Sequence, residues 1–221
     1  MKSLTFIRHG ESVANAGGVT MPHHIIPLSD LGRLQAQVVA ANQLTPPSTI
    51  LVSSMLRTHE TAAPTCERFS LVPQVYSELD EFSVIDPDLI AGMCGPQRKP
   101  IVQSYWADAD PQRRLGTHAD TFEEFIARVI AFTRIMPDLP DATVIFGHGI
   151  WLGLLHWLLL GYDIQDGGDM RAFRKFQLSL PMPNCAAFQL KHVDGSRWSI
   201  HADMELMRRI ALVRNSNASG K

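Results

Sequence analysis

Short apolar runs and helical stripes alternate along this chain. Residues 4–7, 49–52 and 143–146 are β-branched or apolar, and each run leads straight into polar, helix-opening residues. They predict short buried strands. Ser29 reads as an N-cap ahead of Leu31, Leu34, Val38 and Ala41 at helical spacing. Residues 54–69 predict a second helix, disturbed at Pro64. Residues 121–136 predict a third, with Phe122, Phe125, Ile126, Val129 and Ile130 on one face and a capping box of Thr121 with Glu124. Residues 149–160 are apolar nearly all round and predict a buried helix. Near the end, residues 186–191 and 198–201 predict a hairpin across Asp194-Gly195.

Strands alternating with helices predict an α/β fold, a three-layer sandwich with a mostly parallel central sheet and helices on both faces. We read residues 1–221 as a single domain without internal repeats. Two stretches are irregular. Residues 17–28 form a loop rich in Gly and Pro, and residues 83–120 are long, Pro- and Gly-containing and weakly patterned. A long excursion of that kind reads as a substrate wall or lid rather than a domain boundary.

In open α/β sheets, ligands bind beyond the carboxyl ends of the strands. Three distant segments fall there: Arg8-His9, Ser53-Ser54 with Arg57, and Gly147-His148-Gly149. The pattern therefore predicts two arginines and two histidines round one crevice.

Composition changes this picture little. With 221 residues, 45% hydrophobic and 19% charged, and a formal net charge of -2, the chain is ordinary globular protein. That charge gives no reason to expect nucleic acid or an anionic membrane as partner. Cys66, Cys94 and Cys185 are odd in number and widely spaced, so neither a disulfide framework nor a paired metal motif is visible. A reducing, cytoplasmic home is the expectation. The apolar start is broken at once by Arg8 and His9, too early for a signal peptide, and the apolar run at 150–160 is too short to span a bilayer.

The crevice residues suit one anion. A phosphoryl group carries about two negative charges near neutral pH. Arg8 and Arg57 offer planar forks that match its oxygens. Gly10 permits close backbone approach, and Asn15 would add a side-chain N–H. A neutral imidazole at His9 is a competent nucleophile if one nitrogen is bare and the other is held by a partner such as a backbone carbonyl. A cationic second histidine would stabilise charge on the transferring group.

Here the residues match a family. Arg8-His9-Gly10-Glu11-Ser12 with Asn15 resembles the signature of the histidine phosphatase superfamily, which includes cofactor-dependent phosphoglycerate mutases. The resemblance continues through Pro27-Leu28-Ser29 with Gly32 and Gln35-Ala36, then Ser53-Ser54 with Arg57-Thr58 and Glu60-Thr61-Ala62. It continues again through Leu79-Asp80-Glu81, Gly147-His148-Gly149 and the closing hairpin from Asn184. It implies that His9 is phosphorylated transiently, that Arg8, Arg57, His148 and Asn15 bind the phosphate, and that Glu81 is the general acid and base. It implies a small phosphorylated substrate, with no metal and no organic cofactor. Residues 82–93 depart from the family's pattern, which leaves Glu78 as a rival to Glu81, with Asp80 behind both.

A phosphatase acting on a phosphomonoester is the leading reading. A mutase-type phosphotransferase and a catalytically idle binding protein are the alternatives. His23-His24 invites a metal site, but a loop at the substrate edge is the preferred reading. His118, His156, His192 and His201 lack ligand spacing and read as core or surface. Arg113-Arg114 reads as a solvated charge pair before a second anion site.

Overall fold

The computed structural model describes residues 2–195 and 197–218, with residues 214–218 by backbone alone. The sheet has six strands: β1 (Ser3–Arg8), β2 (Ile50–Val52), β3 (Gln74–Val75), β4 (Thr143–Gly147), β5 (Ala187–Asp194) and β6 (Arg197–Ala202). Their order is β3-β2-β4-β1-β5-β6. The first four in that order run parallel, and β5 and β6 add an antiparallel hairpin at the β1 side. Gly195, at φ 48°, opens the hairpin turn, and the next residue, Ser196, lies outside the described residues.

Helices cover both faces, and strand alternation explains why. On β1, Leu4 and Phe6 point into one core and Ile7 into another. The larger core sits under α3 (Gly95–Asp108), α4 (Phe122–Ile135), α5 (Gly149–Leu159) and α6 (Gly167–Ser179). The smaller core lies under α1 (Asp30–Asn42), α2 (Leu56–Phe69) and α7 (Met204–Ala218). Ser29 caps α1 by accepting the Gly32 N–H, and Thr121 and Glu124 form the reciprocal capping box of α4. The α2 helix runs through Pro64 without a break.

Three helices and one strand have no counterpart in the sequence reading. The α3 helix lies inside the stretch 83–120, where Pro96 and Pro100 disguise it as loop. Pro96 occupies the first turn, where a missing N–H costs nothing, and the apolar Tyr105 and Trp106 come only near the end. The α6 and α7 helices carry mostly polar surface and bury few residues, such as Met170, Phe173, Met207 and Ile210. The β3 strand has two residues, both exposed.

One packing contact links the core to the carboxyl ends of the parallel strands. The Trp151 indole stacks on Phe6 with ring centroids 5.2 Å apart and planes 11° apart. Its N–H donates to the Glu78 carbonyl at 2.7 Å. The contact is possible because Gly147 has no side chain: a Cβ there would lie 2.4 Å from the Phe6 ring. The start of α5 is thereby fixed against β1.

His156 is the chemical oddity of this core. It is 4% exposed, its ring lies edge-on to Phe188, and neither nitrogen has a hydrogen-bond partner among the described residues. Burial pushes its pKa from 6.5 down to about 4. The unfolded chain therefore takes up a proton that the folded chain refuses. Stability from this group is intact above pH 6.5 and is lost as pH falls toward about 4. That gap is worth at most roughly 3 kcal/mol. We expect wild-type denaturation midpoints to fall over this window and His156→Leu to lose measurably less than wild type between pH 7 and pH 4, read by urea unfolding.

Candidate active site

The candidate site is assembled by strand register. Arg8 pairs with Gly147 across β1 and β4, so the next residues, His9 and His148, emerge side by side. The His9 N–H donates to the Gly147 carbonyl at 2.9 Å. The two rings meet edge-on with centroids 5.2 Å apart. From the neighbouring β2, the turn at Ser53-Ser54 leads into α2 and brings Arg57. From β3, a short helical turn at Ser77–Leu79 delivers Glu81.

A cavity of about 300 Å³ is lined by Arg8, His9, Asn15, Arg57 and Glu81, together with His23, Phe82, Gln177 and Met182 among others. His148 is wholly buried and stands behind His9. The structure thus brings all six expected residues to one place, with His148 as a backing rather than a wall.

His9 is held in one tautomer. Its Nδ1 lies 2.6 Å from the Gly10 carbonyl. A carbonyl only accepts, so Nδ1 carries the proton. Burial, then the Arg57 and Arg8 charges, push His9 well below its ordinary pKa, so the ring is neutral and Nε2 is bare. The turn beneath it is rigid. The Gly10 N–H donates to the Thr61 hydroxyl at 3.0 Å, and the Glu11 N–H donates to the Gln35 side chain at 2.8 Å. It also packs backbone to backbone on α1: a Cβ at Gly32 would fall 2.0 Å from the Glu11 carbonyl oxygen.

The two guanidiniums lack carboxylate partners among the described residues. Arg8 donates to the Met182 carbonyl, and its buried Nε has no partner among the described residues. Arg57 donates to the His23 carbonyl at 2.8 Å and contacts the Met55 sulfur at 2.9 Å. Burial lowers Arg57 to about 10, still charged at neutral pH. Two desolvated cations without a direct ion pair, with Glu81 as the nearby carboxylate, make a site that favours an anion. Asn15 complements them. Its Oδ1 accepts from the Ser12 N–H at 3.3 Å and from the Asn184 amide at 3.0 Å, which leaves its NH₂ end as the donor to the cavity.

Glu81 sits at the N-terminus of α5. Its carboxylate accepts from the Ile150 N–H at 3.0 Å, the Trp151 N–H at 2.9 Å and the Phe82 N–H at 3.1 Å. These bonds and Arg57 pull its pKa down, but burial outweighs them and the net shift is upward. Glu78 does not line this cavity. Asp80 is tied to Ser54, through the N–H at 2.7 Å and the hydroxyl at 2.6 Å.

One expectation needs correction. His148 is not a resident cation: burial and the nearby Arg57 and Arg8 charges push it well below its ordinary pKa. Its Nε2 bonds the Ser53 hydroxyl at 2.8 Å and its buried Nδ1 has no partner among the described residues. Arg113 and Arg114 are surface residues paired with Asp108 and Glu124, and neither lines the cavity. His23 lines the cavity, His24 does not, and no group of three metal-ligating side chains occurs among the described residues. Sequence reasoning gave no role to Ser53, Thr61 or Asn184. Only their partners reveal them, since a lone Ser, Thr or Asn near a turn carries no signal of its own.

The model of the Histidine phosphatase superfamily (branch 1) matches residues 4–199. The protein belongs to that superfamily. No curated protein sequence matches this superfamily member significantly. Solved structures do. A mycobacterial glucosyl-3-phosphoglycerate phosphatase is 25% identical, over 91% of this chain and 97% of its own, with a TM-score of 0.65. That phosphatase has also been solved with VO₃ and with inorganic phosphate. The alpha-ribazole phosphatase from Shigella flexneri is 21% identical, over 90% of this chain and 95% of its own, with a TM-score of 0.71. The second likeness speaks to fold alone.

A direct check follows from the ring environments. In ¹⁵N imidazole spectra at pH 6.5 and without added anion, His9 and His148 should both be neutral, and His9 should be the Nδ1–H tautomer.

Proposed function

We propose that this histidine phosphatase superfamily member is a phosphomonoester hydrolase that works through a phosphohistidine on His9. The observation that carries the reading is the bare Nε2 of a neutral His9, set against two unpaired buried guanidiniums in one cavity. Arg8, Arg57 and the Asn15 amide hold the phosphoryl oxygens. His9 Nε2 attacks phosphorus in line, and the ester P–O bond breaks. Glu81, its pKa raised by burial, gives a proton to the departing oxygen. The resulting carboxylate then takes a proton from water. That water attacks phosphorus, the N–P bond breaks, and phosphate leaves. Throughout, the Gly10 carbonyl keeps the His9 Nδ1 proton in place.

His148 acts as a latent donor. A bound dianion raises its pKa, opposing the desolvation that keeps it neutral. Positioning and preset electrostatics supply most of the rate. No step calls on a metal or organic cofactor. The substrate is a small phosphate ester, and neither nucleic acid nor membrane enters the reading. Among the described residues no helix is long and apolar enough to cross a bilayer. The three cysteines are unpaired, which supports a reducing, cytoplasmic setting. A mutase would use the same pocket, but would retain the phosphate on an isomeric product.

His9→Ala should abolish release of inorganic phosphate from an aryl phosphate, and acid-labile phosphoprotein should be trapped in wild type only. Wild-type turnover by the variant would end the proposal. Glu81→Gln should slow alkyl phosphates by on the order of 10²-fold or more, and aryl phosphates far less, because only a poor leaving group needs the proton. Equal losses would point away from Glu81 as the acid.

A further inference from the structure

Glu81 and His23 line two cavities at once. One is the anion pocket. The other, about 530 Å³, opens on the other side of Glu81, between the turn at Ser77–Leu79, the start of the 83–120 stretch and α4. Its walls carry Ser77, Glu78, Asp80, Ser83, Asp120 and Arg128. The one guanidinium there is already engaged. Arg128 donates to the Asp120 carboxylate at 2.8 Å and to the carbonyls of Asp80 and Glu81 at 3.0 and 3.3 Å. Three carboxylates besides Glu81 thus face one satisfied cation. The Glu78 carboxylate has no hydrogen bond or ion pair among the described residues, although its main-chain oxygen holds Trp151. Apart from the His23 and His24 imidazoles, no ring lines the space. Nothing there would stack a nucleobase or cage a quaternary ammonium.

We propose that this second cavity receives the alcohol half of the substrate and selects a neutral polyol over an alcohol bearing a second anionic group, with Glu78 as the specificity residue. The inference rests on the phosphatase reading above. A leaving oxygen must face Glu81 to be protonated, and the wall of Glu81 opens into this space. Hydroxyls suit it because they donate to carboxylates and accept from serine hydroxyls. A second carboxylate or phosphate would be set among like charges, at a loss of binding in the transition state.

The matched pair is glycerol 3-phosphate and 3-phosphoglycerate, which differ by a hydroxymethyl against a carboxylate. We expect wild type to prefer the first in kcat/KM by about tenfold or more. Glu78→Gln should narrow that ratio and Glu78→Lys should narrow it further or reverse it. Using two variants guards against one that folds poorly. A wild-type ratio near one, or a ratio unmoved by both substitutions, would overturn the inference. So would phosphoethanolamine as the best substrate of the three, because the cavity would then be reading a cation. p-Nitrophenyl phosphate separates the two levels. If its hydrolysis depends on His9 while the ratio is flat, only the substrate inference falls. If wild type shows no His9-dependent hydrolysis of it, the phosphatase reading falls and takes the inference with it.

Discussion

The whole site depends on one register: β1 and β4 lie parallel with Arg8 opposite Gly147. A parallel pair carries both strands to the same edge of the sheet, so their next residues are neighbours in space. His9 and His148, 139 positions apart in a chain of 221, come within 5.2 Å for that reason. A slip by one residue would turn His9 toward the opposite face of the sheet, because side chains alternate. The apolar pattern resists that slip, since it would exchange Phe6 and Ile7 between the two cores.

Burial then tunes every group the register collects. The same desolvation that keeps His9 neutral, as the proposed attack requires, raises Glu81. It lowers Arg57 only to about 10, because a guanidinium has far to fall before it loses charge. One physical cause therefore sets the charge states of three residue types apart. The counterweight is local and geometric. The α5 N-terminus gives Glu81 its N–H donors, and the stacking of Trp151 on Phe6 holds that helix end in place.

Legibility followed the strength of local signals. The runs at 4–7, 49–52 and 143–146, the capped helix at 121–136 and the turn at Asp194-Gly195 combine periodicity with terminus chemistry, and each appears in the fold close to its expected bounds. The α3 helix was hidden by two prolines, Pro96 in its first turn and Pro100 inside it. The α6 and α7 helices were hidden because contact with the rest of the molecule, rather than an apolar stripe, holds them. Among the candidate site residues, Arg8, His9, Arg57 and His148 were legible from residue type at predicted strand ends, and Glu81 from motif order alone. Ser53 and Asn184 were not, because a hydroxyl or amide acquires meaning only from the atom it touches.

By itself the sequence determined which groups could do chemistry and at which strand ends they stand, because alternation and helical spacing are local rules. Tertiary structure decided their states. Whether His148 is charged, which nitrogen of His9 is bare, and whether Glu81 or Glu78 faces the cavity all depend on depth and on partners brought from elsewhere in the chain. Desolvation and long-range hydrogen bonding have no period along a sequence, so they can be read only once the chain has closed on itself.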